Sequence, residues 1–302
     1  MGAGHQHGPS TGGSASGRHL RALIAALCLT GGFMVVEFVV GFTTNSLALI
    51  SDAGHMGTDV LGLGMATAAI LLARRPATAQ RTYGLYRLEV LAALANGILL
   101  FGVAGYVIVE AMRRISDPPS VPGPPLLVTA VIGLAVNVVS FLLLRSGARN
   151  SLNLRGAMLE VMGDMLGSVG VIVAAIILWT TGWPYADPII GVGIGLFILP
   201  RTFILTRQAL RILLEVAPAH VNVPKLTSQI EALPGVDSVH DLHVWTLTSG
   251  IENATGHVRI AAGADFATVL QATHAVLDEH GIHHATIQCE PVTFTDERQL
   301  PV

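Results

Sequence analysis

The stretch LALISDAGHMGTDVLGLGMATAAILLA, Leu47–Ala73, decides how the chain is read. Its length and apolar content suit a helix crossing the ~30 Å hydrocarbon core of a bilayer. Yet it carries Asp52, His55 and Asp59. The composition around it is 51% hydrophobic and 12% charged, far from the roughly 25% charged residues of an ordinary soluble domain. Comparable apolar runs fall at Leu20–Val40, Leu88–Met112, Leu126–Leu144, Met158–Thr180 and Pro188–Leu205, making six spans in all. The pattern predicts an all-α six-helix transmembrane domain over residues 19–207, embedded in membrane lipid.

Residues 1–18 are rich in Gly and Ser and contain His5 and His7, and are expected to form a disordered tail. The first apolar run is long enough to span, so a cleaved signal peptide is not expected. From Gln208 the chain turns polar and holds eight of the twelve histidines, which predicts a separate small domain over 208–302. The two cysteines, Cys28 and Cys289, imply no disulfide framework. Arginines mark the cytoplasmic side. Arg18 and Arg21 flank the amino-terminal end of the first span, Arg74, Arg75, Arg81 and Arg87 follow the second, and Arg145, Arg149 and Arg155 follow the fourth. Both termini are therefore expected in the cytoplasm, with DPPSVPGPP at Asp117–Pro125 as a rigid external turn.

Residues four apart share a helix face, so His55 and Asp59 point the same way, with Asp52 about one turn earlier. The fifth span repeats the spacing with Glu160 and Asp164. An ionised carboxylate at mid-bilayer costs roughly 2.5–3.5 kcal/mol, so Asp59, Glu160 and Asp164 would cost on the order of 10 kcal/mol if charged and unpaired in lipid. Protons, cavity water or a bound cation would relieve that cost. One nitrogen and three oxygens suit a tetrahedral divalent site for zinc or a neighbouring transition metal. Helix packing beside Gly54, Gly57, Gly62, Gly163 and Gly167 is the plainer explanation for one such pair; two pairs at matching spacing favour a site.

These segments resemble the cation diffusion facilitator family, in particular its bacterial zinc, cobalt and cadmium exporters. The resemblance rests on TNSLALISDAGHMGTDV, RTYGLYRLEVLAALANG, NLRGAMLEVMGDMLGSVGV, HDLHVWTLTSG and HHATIQCEP. It implies a transport site at His55, Asp59, Glu160 and Asp164, and a homodimer through the cytoplasmic domain. By matching position it further implies a second metal site at His240, His257, His283 and Glu290. Glutamate at 160 departs from the family's more usual histidine and raises manganese or ferrous iron as alternative cargo. Tyr86 stands where relatives often carry a loop histidine, so no metal is expected between Arg74 and Arg87.

The expected activity is export of zinc, or cobalt or cadmium, from the cytoplasm in exchange for protons across a bacterial plasma membrane. Ligands must shed protons to bind metal, which supplies the coupling. No resident cofactor and no nucleic-acid partner are expected. An intramembrane metalloenzyme would need His-Glu-x-x-His and an open coordination position, and that motif is absent.

The last domain reads as helix, strand, strand, helix, strand: Val223–Leu233, Ser238–Leu247, Ile251–Ala261, Asp265–His280 and His284–Glu290. This order fits an open ferredoxin-like α+β sandwich. Strand alternation places His284 rather than His283 on the face of Glu290, at odds with the family-derived ligand set. Glu37, Asn45, Asn96 and Asn137 are expected to serve helix packing. Cys289 is expected to be a buried strand residue.

Overall fold

A computed structural model of the chain describes residues 19–43, 47–116, 124–181, 183 and 185–294. The amino-terminal tail, Asn45 and most of the Asp117–Pro125 turn lie outside them, as do the side chains of Asp52 and His55. The chain divides into two compact units, Met1–Ala209 and Leu210–Val302.

The first unit contains helices α1 (Leu20–Thr43), α2 (Leu47–Ala73), α3 (Arg87–Ser116), α4 (Pro124–Leu144), α5 (Leu152–Thr181) and α6 (Ala186–Leu213). Each is 21 to 30 residues long. A bilayer leaves the backbone no water to bond, so helices of this length are the stable solution. Among the described residues two segments, Leu20–Val40 and Arg87–Tyr106, are by themselves long and apolar enough to cross a membrane. Shorter apolar helical stretches lie at Asp59–Ala73 and Val131–Leu144, so the six spans expected from the sequence are not all met by length and hydropathy among the described residues. Outward positions such as Val36, Phe42, Leu61, Ile98, Val128 and Phe203 are exposed, as expected of surfaces solvated by lipid tails.

Helix α5 is the hub of this unit. Its residues Leu154, Ala157 and Val161 join Leu20, Leu23 and Ala26 of α1, Leu63, Ala66 and Ile70 of α2, and Leu144 of α4 in one core cluster. Another face of α5, at Leu159, meets Leu100 of α3 and Leu205 of α6. Two polar ties fix it further: Asn153 Nδ2 donates to the Ala66 carbonyl at 2.9 Å, and Arg155 donates to Gln208 Oε1 at 3.0 Å.

The second unit has helices α7 (Val223–Glu231) and α8 (Phe266–Glu279) and strands β1 (Val236–Thr248), β2 (Ile251–Ile260) and β3 (His284–Pro291). The sheet order is β1-β2-β3, with β1 antiparallel and β3 parallel to β2. The β1–β2 turn closes on Gly250, whose φ of 81° is left-handed. Helix residues Leu226, Ile230, Val269 and Leu277 pack with Val244, Ala254 and Val258 from the strands. Asn222 caps α7 by accepting from Lys225 N at 3.0 Å. Asp265 caps α8, accepting from the Thr268 hydroxyl at 2.7 Å and its backbone N–H at 2.9 Å.

Those two bonds, the hydroxyl's first, hold the Asp265 carboxyl below its ordinary range. Its capping contribution is therefore complete above the unfolded value of about 3.9 and disappears as pH falls through the lowered folded value. The stability gap between wild type and Asp265→Ala should close over that acid range in pH-dependent unfolding of residues 210–302. Gly235 has φ of 88°, and a Cβ there would lie 2.8 Å from Ala264 Cβ. Gly235→Ala should cost about 2–4 kcal/mol in the same unfolding measurement.

Candidate metal centres

Two stripes face each other between α2 and α5. On α2, residues 59, 62 and 66 recur at helical spacing; on α5, residues 153, 160 and 164 do. The Asn153 bond to Ala66 sets an antiparallel register. A Cβ on Gly62 would run into both oxygens of Glu160, so this glycine is the gap that admits the carboxylate. Asp59 and Glu160 are 5% and 3% exposed, and Asp164 is half-buried.

Asp59 and Asp164 both lie close enough to act electrostatically on Glu160, and the Asn96 side chain hydrogen-bonds to it. Glu160 Oε2 is buried with no hydrogen-bond partner among the described residues. Three of the four expected transport residues thus share one neighbourhood. His55 belongs to α2 one turn from Asp59, and its side chain is outside the description. Asn96, read from sequence only as a packing residue, is in direct contact with this group. A lone asparagine in an apolar helix carries no spacing signal that would have marked it.

The second centre lies on the sheet. His240 of β1 and His257 of β2 are direct cross-strand partners, with ring centroids 5.1 Å apart. Glu290 of β3 reaches both: its Oε1 is 2.5 Å from His257 Nδ1, and its Oε2 is 3.5 Å from His240 Nε2. One potential ligand atom from each of the three residues lies within 4.8 Å of the others. Glu290 is 2% exposed, and Gln288 donates to its Oε1 at 2.8 Å.

His283 does not join them. It stands before β3, 77% exposed, with Nδ1 2.9 Å from Asp278 Oδ1. His284 shares the face of Glu290 but is six residues away, about 20 Å along a strand. Distance along β3, not the face, therefore removes both histidines from the cluster. A residue missed from sequence is Asp241, in the bulge between His240 and His243 at φ of 53°. Its carboxylate lies 2.9 Å from His243 Nε2 and 4.0 Å from His257 Nε2. Asp tolerates this left-handed conformation better than most residues. Cys289 lies in β3 as expected but is half-buried rather than buried, packed against the sheet core, where partial burial pushes its thiol up from its ordinary value and makes it a poorer ligand.

Residues 23–214 match the cation efflux transmembrane domain, and residues 218–292 match the cation efflux protein cytoplasmic domain. The chain belongs to the cation diffusion facilitator family and is a cation efflux transporter, not an enzyme. It is 48% identical over 292 residues to the metal cation efflux system protein CzcD of Cupriavidus metallidurans, covering 96% of this chain and 90% of that one. It is 39% identical over 289 residues to the zinc transporter ZitB of Escherichia coli, covering 95% and 92%. It is 38% identical over 305 residues to a cadmium, cobalt and zinc/H(+)-K(+) antiporter of Bacillus velezensis, covering 99% and 95%. A solved metal-bound C-terminal domain of the C. metallidurans CzcD transporter is 42% identical, covering 23% of this chain and 99% of its own, with a TM-score of 0.22.

The gap at Gly62 makes a sharp test. Gly62→Ala should lower transport at least tenfold, since a Cβ there must displace Glu160 or the helices at a cost of about 1–3 kcal/mol. Gly64→Ala, where a Cβ meets nothing within 4 Å, should transport as wild type at equal membrane abundance.

Proposed function

We propose that this protein exports divalent metal ions from the cytoplasm across a bacterial inner membrane in exchange for protons. Zinc is the principal cargo, with cobalt and cadmium as further substrates. The ion is held by His55, Asp59, Glu160 and Asp164 while six membrane crossings rearrange around it, with both termini cytoplasmic. The observation that carries this reading is the company Glu160 keeps. The groups acting on it are two further carboxylates and one amide, a concentration of negative charge that a divalent ion or protons would neutralise.

The same requirement supplies the energy coupling. Ligating carboxylates and imidazole must be deprotonated, so metal entry expels protons and protonation releases metal. Each proton exchanged across one pH unit contributes about 1.4 kcal/mol, a tenfold concentration ratio for a one-for-one exchange. The names of the zinc, cadmium and cobalt transporters among the relatives support the cargo. The three oxygens at the site favour a second reading, manganese or ferrous iron, whose chemistry is more oxygen-seeking.

The cytoplasmic domain is proposed to pair with a second copy and to bind one metal ion at His240, His257 and Glu290. Titration calorimetry on residues 210–302 should give one zinc per chain, with His257→Ala weakening it at least tenfold; equal affinity in that variant would remove this site.

Transport is tested in proteoliposomes loaded with a pH dye and a metal indicator. Asp164→Ala should abolish flux, and wild-type flux should be saturable and move protons opposite to metal. Glu160→His should shift preference further toward zinc. Metal movement down its gradient without a proton signal would sink the antiport reading, and full activity in Asp164→Ala would sink the site.

A further inference from the structure

We infer that Asn96 is a specificity-determining residue of the transporter, acting by holding Glu160 to a single ligating oxygen. The inference rests on the transport site proposed above. Asn96 belongs to α3, outside the two helices that carry the acidic and imidazole groups, and is 4% exposed. Its side chain hydrogen-bonds to Glu160. Since Glu160 Oε2 and Asn96 Oδ1 have no hydrogen-bond partner among the described residues, the bond is assigned from Asn96 Nδ2 to Glu160 Oε1. The opposite amide orientation would set Oδ1 against a carboxylate, acceptor to acceptor.

Glycines on both of the other helices leave room for this amide. A Cβ on Gly62 of α2 would lie 2.7 Å from Asn96 Oδ1, and one on Gly156 of α5 would lie 3.2 Å from Nδ2. The amide thus occupies the space that a side chain at either position would fill. Glu160 therefore presents one oxygen occupied by a fixed donor and one buried oxygen with none, the arrangement of a monodentate ligand.

Zinc takes four ligands at about 2.0–2.2 Å from oxygen and is satisfied by one oxygen per carboxylate. Manganese belongs with the cations that favour six oxygen ligands, a number more easily reached when a carboxylate binds through both oxygens. Removing the amide frees Oε1, raises the available oxygen count and moves preference away from zinc.

The test compares initial rates for zinc and for manganese in proteoliposomes containing the full-length protein. Asn96→Ala should raise the manganese-to-zinc rate ratio roughly tenfold, the equivalent of about 1.4 kcal/mol of differential stabilisation. A purely structural defect would lower both rates by one factor, so an unchanged ratio overturns the inference. If Asn96→Ala does not reach the membrane, Asn96→Thr serves instead. Its hydroxyl ends one bond short of the amide nitrogen, and the same ratio change is expected; its absence counts equally against the proposal. Asp164→Ala in the same assay should silence both metals. Should it transport normally, the site itself is misplaced, an outcome distinct from failure at Asn96.

Discussion

Glu160 is buried in a bundle that exposes apolar side chains outward, and two other carboxylates act on it. Placing one charge in such surroundings costs several kcal/mol, and like charges add to it. A structure made only for stability would replace all three with leucine. The bundle instead makes room for them: Gly62 gives up its side chain so that Glu160 fits, and Gly156 does the same for the amide that steadies Glu160. Both glycines forgo packing that a larger residue would supply at this interface, which makes sense if an ion or protons complete it.

The central place of α5 follows from the same constraint. One helix must bring Glu160 and Asp164 to α2 while remaining fixed against α1, α3, α4 and α6, so it buries apolar residues on more than one face. Asn153 lies seven residues before Glu160, on the same stripe, and ties that stripe to α2 through the Ala66 carbonyl. In a dry interior an interhelical hydrogen bond has little competition from water. The acidic pair is thereby held in register with Asp59, a register on which any shared coordination depends.

Much of this was legible in the sequence, because periodicity transmits well. The four-residue spacing of His55 with Asp59 and of Glu160 with Asp164 marks two helix faces, and the apolar runs locate helices to within a few residues, with larger differences at the ends of α5 and α6. The cytoplasmic strands and turns were equally readable from alternation and glycine placement. What escaped depended on three-dimensional proximity. Asn96 has no partner at helical spacing, and its bond to Glu160 arises only when α3 packs beside α5. His283 matched a ligand by position in the chain, yet β3 begins one residue later and carries Glu290 away from it. Asp241 was hidden because a bulge, which alternation alone does not reveal, turns it toward His257.

The two centres are built on different physics. In the sheet, His240 and His257 are held at adjacent positions by β-pairing, and the three-residue cluster contains a single carboxylate, Glu290. Such a site can stand ready without metal. In the bundle three carboxylates share one neighbourhood, so on the proposed reading an empty site would carry repulsion that protons relieve. A centre that tolerates vacancy suits sensing or steadying an assembly. The exchange of metal for protons proposed for the bundle suits transport, and that division of labour would follow from where each set of side chains is buried.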